Sequence, residues 1–82
     1  MTYAEIQIVE TKFNEIIQKN VTKRYDYEMA DRRLNPDDDF HFFIKAPAVM
    51  WDCDWAIMIA FANLIHRCIR FNTSEGEFEI WS

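Results

Sequence analysis

The fold is decided by how residues 51–70, WDCDWAIMIAFANLIHRCIR, are read. At a helical spacing of about 100° per residue, Asp52, Asn63, His66, Arg67 and Arg70 fall on one narrow stripe. Trp51, Trp55, Ile57, Met58, Phe61, Leu64, Ile65, Cys68 and Ile69 fill the remaining circumference. A helix apolar over roughly two-thirds of its circumference is a central one. It is either the core helix of the domain, or part of its surface meets a partner chain. The sequence predicts that it runs to Ile69, with Pro47 as an early helical residue and Asp52 or Asp54 as its cap.

Upstream, Thr2-Tyr3-Ala4-Glu5 has the form of a capping box. Ile6, Val9, Phe13, Ile16 and Ile17 follow at helical spacing, so a first helix is predicted from Tyr3 to Lys19. The period then drops to two. Tyr25, Tyr27 and Met29 point one way, while Arg24, Asp26 and Glu28 point the other, which is a strand with one wet face. A helical reading of Glu28 to Leu34 competes for the end of that strand. A loop with Asn35-Pro36-Asp37 as its turn chemistry leads to a second strand, Asp39 to Lys45. Phe40, Phe42 and Ile44 face in there, against His41, Phe43 and Lys45.

Downstream, Asn72 to Gly76 is a turn. Glu77-Phe78-Glu79-Ile80-Trp81 is a last strand with Phe78 and Ile80 inward and Glu77, Glu79 and Trp81 outward. The expected class is α+β in the order α-β-β-α-β: a three-stranded antiparallel sheet with two helices packed on one face. All 82 residues are expected to form a single compact domain.

The composition narrows the function. Half of the chain (50%) is hydrophobic, 16% is aromatic, and there are one Gly and two Pro. Disordered, linker-like and collagen-like readings fail on those figures. The formal charge is −5, which disfavours direct nucleic-acid binding by charge. Residues 1–36 balance six acids with six bases, whereas residues 37–82 hold eight acids and three bases. The whole imbalance therefore lies in the second half. The longest apolar run, Trp55 to Ala62, has eight residues, against the ~20 of a membrane span. With both cysteines on one helix, Cys53 and Cys68 would lie roughly 22 Å apart along its axis. They would then be free, buried thiols, which with the absence of a secretion signal points to the cytoplasm.

Catalytic patterns are weak. Asp52 and Asp54 could join a histidine at a metal, but residues i and i+2 of a helix diverge. Capping and the helix dipole account for both carboxylates. His41 and His66 have no convergent partners at zinc-like spacing. A Cys53 nucleophile would be opposed by its two flanking aspartates. No cofactor or metal is predicted.

What the residues favour is binding. Asp26, Glu28, Asp37, Asp38, Asp39, Phe43, Glu77, Glu79 and Trp81 combine carboxylates with large aromatics on the outward sheet face and the hairpin loop. That is a composition suited to a basic protein partner. The expectation is a small acidic, non-enzymatic protein that blocks a larger basic partner, one that handles nucleic acid, by loose imitation of DNA phosphates. Phage-encoded inhibitors of defence nucleases and toxin immunity proteins have this size and charge. The alternative is a self-associating accessory module whose second helix is a homodimer face. A third reading is a small metal-dependent enzyme.

Overall fold

The computed structural model describes residues 1–21, 25–30 and 41–81, residues 28–30 by their backbone. Thr2 opens the first helix, α1 (Tyr3–Lys12), through the capping box: its hydroxyl accepts the Glu5 N–H at 3.2 Å and Glu5 reaches back to the Thr2 N–H at 3.4 Å. The helix continues without a break into a π-helical turn, Phe13–Gln18. There the Lys19 N–H reaches five residues back to Asn14. The looser turn keeps Phe13 and Ile17 buried and aims Asn14 and Gln18 at the sheet. Asn14 accepts the Tyr27 hydroxyl at 2.9 Å, and Gln18 donates to the Tyr25 carbonyl at 2.5 Å.

Four strands follow among the described residues: β1 (Asp26–Ala30), β2 (His41–Lys45), β3 (Cys68–Asn72) and β4 (Glu77–Trp81). The second helix, α2 (Asp52–Leu64), connects β2 to β3. The sheet is antiparallel in the order β1-β2-β4-β3. β2 and β3 therefore run parallel with β4 between them, a split β-α-β unit. The two helices pack on one face. Ile6, Val9, Phe13 and Ile17 meet Phe42, Ile44, Phe78 and Ile80 of the sheet and Met58 and Phe61 of α2 in one core. Phe13 is its hub, with ring centroids 5.1 Å from Tyr27 and 5.6 Å from both Phe42 and Phe61. Each such aromatic pair adds ~0.5–1.5 kcal/mol beyond its area.

The α+β class and the helix–strand–strand–helix opening agree with the sequence, but the strand count is corrected from three to four. The second helix stops at Leu64 rather than Ile69. His66 takes the left-handed conformation (φ 55). Its N–H bonds the Asn63 carbonyl at 3.2 Å, and the Arg67 N–H bonds Ala62 at 3.0 Å, the two bonds of a Schellman stop. Beyond it Ile69 and Phe71 turn inward while Cys68, Arg70 and Asn72 turn out. The β3–β4 hairpin closes through Asn72, whose side chain accepts the Ser74 and Glu75 N–H groups at 3.0 and 3.3 Å, and through Gly76 at φ 65.

Cys68 consequently leaves the helix, and both Cys53 and Cys68 are free and exposed instead of buried. Glu28 to Ala30 are strand; residues 31–34 of the competing helical reading lie outside the described residues. No helix among the described residues is long and apolar enough to cross a membrane.

Candidate interaction surfaces

The sheet face away from the helices gathers most of the residues singled out above. Register places Glu28, Phe43, Glu79 and Arg70 in one cross-strand row and Asp26, Lys45, Glu77 and Asn72 in the next. Trp81 lies opposite Cys68. Six of the nine predicted contact residues thus share one face. Asp37, Asp38 and Asp39 lie outside the described residues.

That face is less open than a wet sheet should be. β4 is an interior strand, and Phe43, Glu77 and Glu79 are only 6%, 9% and 6% exposed. Glu79 is held from two sides: the Arg70 guanidinium donates to it at 2.6 Å and the His41 ring nitrogen Nδ1 contacts its other oxygen. Arg70 in turn covers the Trp81 ring at 5.1 Å. Burial alone would push the Glu79 carboxyl up. The hydrogen bonds and charges of Arg70 and His41 outweigh it and hold the group below the usual carboxylate range. The outward charges in these rows include Asp26, Lys45 and Arg70, all exposed, which is a mixed surface. The other described carboxylates of the second half are dispersed: Asp52 on the first turn of α2, Asp54 in the interior, Glu75 in the hairpin turn.

Asp54 is fully buried. It accepts the Trp51 N–H at 2.8 Å and the Tyr25 hydroxyl at 2.5 Å. The cap of α2 is Trp51, with Asp54 reaching back to it from the third helical position. This geometry gives Asp54 a structural task. Among the described residues no three His, Cys, Asp or Glu side chains converge on a metal position. His66 stands at the end of α2 and His41 on the far face of the sheet.

The largest departure from expectation is α2 itself. Asp54, Met58, Phe61 and Ala62 are its buried residues. Trp51, Trp55, Ile59 and Leu64 are exposed by 56%, 39%, 51% and 60%, so the core-helix reading of this stretch holds for only part of its circumference. Between α2 and the edge strand β3 lies a shallow apolar groove of about 160 Å³, lined by Trp55, Ile59, Ile69, Arg70, Phe71 and Phe78. Trp55 stands edge-on to Phe71 and Phe78 at 4.9 and 5.5 Å, which fixes its ring as one wall. The signal for this surface was already in the sequence: a two-layer fold has one side of a helix to cover, and α2 is apolar on more than one side.

Comparison with known protein families, curated proteins and solved structures gave no match.

Proposed function

We propose that this chain acts by binding another protein, without a reaction of its own, and that its docking surface is the outward side of α2 with the adjoining α2–β3 groove. The observation that carries this reading is the exposure of Trp55 and Ile59, four residues apart on the 13-residue α2, with Trp51 exposed at its N-cap. Rings and branched aliphatics in this density on a folded surface are typical of contact sites.

A second reading keeps the contact on the opposite sheet face: a small acidic inhibitor of a basic, nucleic-acid-handling protein, acting in the cytoplasm. It is favoured by the formal charge of −5 and by the register that brings Asp26, Glu28, Glu77, Glu79, Phe43 and Trp81 together. One experiment separates the two. The intact chain is used as bait alongside Ile59→Asp and an Asp26→Lys/Glu28→Lys double variant. A bound protein lost only with Ile59→Asp supports the α2 surface. A bound protein lost only with the lysine variant, and released by salt, transfers the function to the sheet face.

A further inference from the structure

We infer that the α2–β3 groove receives an extended segment of a partner protein, which joins the sheet as a fifth strand beside β3, with apolar side chains in the groove and acidic ones on the opposite face. The inference rests on the α2 reading above and names the form and charge of its partner. β3 is an edge strand among the described residues. It pairs with β4 without a bulge, from Cys68 opposite Trp81 to Asn72 opposite Glu77, and it contains no proline. One side of its backbone therefore holds N–H and C=O groups where another strand would pair. The groove follows the same edge on the helix side. Ile69 and Phe71 line it from β3, Trp55 and Ile59 from α2. A strand added to β3 lies ~4.8 Å beyond it. Its side chains opposite Ile69 and Phe71 point into the groove, and those opposite Cys68, Arg70 and Asn72 point to the outward face. One extended segment thus meets both the main-chain and the apolar demand of this edge. A helix in the groove would instead cover the edge and leave backbone groups unpaired and shielded from water, at ~1–3 kcal/mol each.

Charge selects the segment. The chain carries −5, yet from Trp55 to Ser74 it has no carboxylate and has Arg67 and Arg70. This stretch supplies the helix wall of the groove and the whole of β3, so the edge is a basic part of an acidic chain. Arg67 stands just before β3 and bonds Glu5 at 2.9 Å. Arg70 is central in β3 and engages the nearly buried Glu79 through Nε at 2.6 Å. Its side chain is still 63% exposed, and a guanidinium has further donors for a second carboxylate. An acidic side chain directly across from Arg70 adds ~0.2–1 kcal/mol, and a basic one there is unfavourable. A second copy that added its own β3 edge to edge would bring Arg67 and Arg70 of both chains together. The complementary occupant is a foreign segment in which apolar and acidic residues alternate.

The test is selection from a displayed random library of peptides about twelve residues long, longer than one short strand. The bait is the intact chain under reductant, because Cys53 and Cys68 are exposed. The expected peptides alternate apolar and acidic residues along a stretch that matches the five residues of β3. Ile59→Asp, at an exposed position where circular dichroism should stay native, should weaken them at least about tenfold, and lysine in place of the peptide's acidic residues should do the same. Successive N–H groups of a strand point to opposite sides. N-methylation of alternate peptide residues should therefore abolish binding in one of the two sets and spare it in the other, and amide exchange along β3 should slow in the complex. Peptides with helical spacing, lost on Ile59→Asp, overturn the fifth strand and leave the α2 surface standing. Alternating but basic peptides overturn the inference as well. So does a chain that doubles its mass of 9.9 kDa in sedimentation and thereby excludes the peptide, which assigns the edge to a second copy. No enriched peptide, or one that binds Ile59→Asp equally well, also overturns it, and the bait experiment above then decides the α2 surface by itself.

Discussion

Replacing Tyr25 by Phe tests how the first strand, the second helix and the core are tied together. The hydroxyl of Tyr25 donates to Asp54 at 2.5 Å, and both side chains are fully buried. The substitution removes one oxygen and leaves the ring, so packing is preserved and no cavity larger than a hydroxyl appears. What is lost is a hydrogen bond to a carboxylate out of reach of water, worth ~1.5–3 kcal/mol. The total stability of a domain with 82 residues is of order 4–12 kcal/mol. A loss of this size is therefore about an eighth to three quarters of it and should lower Tm by roughly 6–24 °C. Urea unfolding followed by tryptophan fluorescence gives the free energy, and an unchanged m-value shows that compactness is kept. A cycle with Asp54→Ala isolates the pair, with an expected coupling of ~1–3 kcal/mol. If Tyr25→Phe stays within about 0.5 kcal/mol of the parent, or the two changes simply add, Asp54 draws its support elsewhere and the account of this buried carboxylate is wrong.

Three further outcomes are expected. Phe61→Ala removes a fully packed ring that meets Phe13 edge-on at 5.6 Å, and should cost ~3–5 kcal/mol, enough that denaturant unfolding begins at or near native conditions. Glu79→Gln should cost about 1 kcal/mol, because Arg70 is largely exposed and its pair is partly screened. The Glu79 carboxyl is held below its ordinary value, so its contribution is full above the unfolded carboxyl pKa and fades as the pH falls through the lower, folded value. Acid titration of the parent should show that loss, and the Gln variant should show less of it. His66→Gly relieves a non-glycine residue at φ 55, a conformation costing ~1 kcal/mol or more. Thermal unfolding should register a gain of about 0.5–1 kcal/mol, while a loss would mean that the His66 side chain stabilises the helix end.

The parts of this fold that were legible in the sequence are those in which a local signal and the tertiary outcome agree. The Thr2–Glu5 box and the apolar spacing from Ile6 to Ile17 fix the first helix because capping and burial favour the same turn. The alternation around Phe42 and Ile44 does the same for β2. β3 was hidden by two coincidences. Ile65, Ile69 and Cys68 continue the helical spacing of the preceding run, and the residue that ends the helix is His66, where glycine would have announced a stop. Outward and wet proved to be different properties for Glu77, Glu79 and Phe43. Alternation gave their direction, but exposure depends on β2 and β4 being the interior strands, and strand order is not a local property. Asp54 illustrates the same limit, since its partner Tyr25 is 29 positions away.

The exposed side of α2 follows from layer geometry. In a sheet with both helices on one face, each helix has a single side against the strands and a flank toward its neighbour. Nothing in a two-layer arrangement covers the remainder. α1 meets that condition with Gln7, Thr11 and Lys12 but also exposes Tyr3 and Ile8, and α2 meets it with Trp55, Ile59 and Leu64. Packing on Phe71 and Phe78 accounts for Trp55, whereas Met58, Phe61 and Ala62 already fill the inward side and leave Ile59 and Leu64 exposed. Solubility would favour charge there, as the rest of this acidic chain provides. Under the binding proposal, a third layer supplied by another molecule accounts for the surplus.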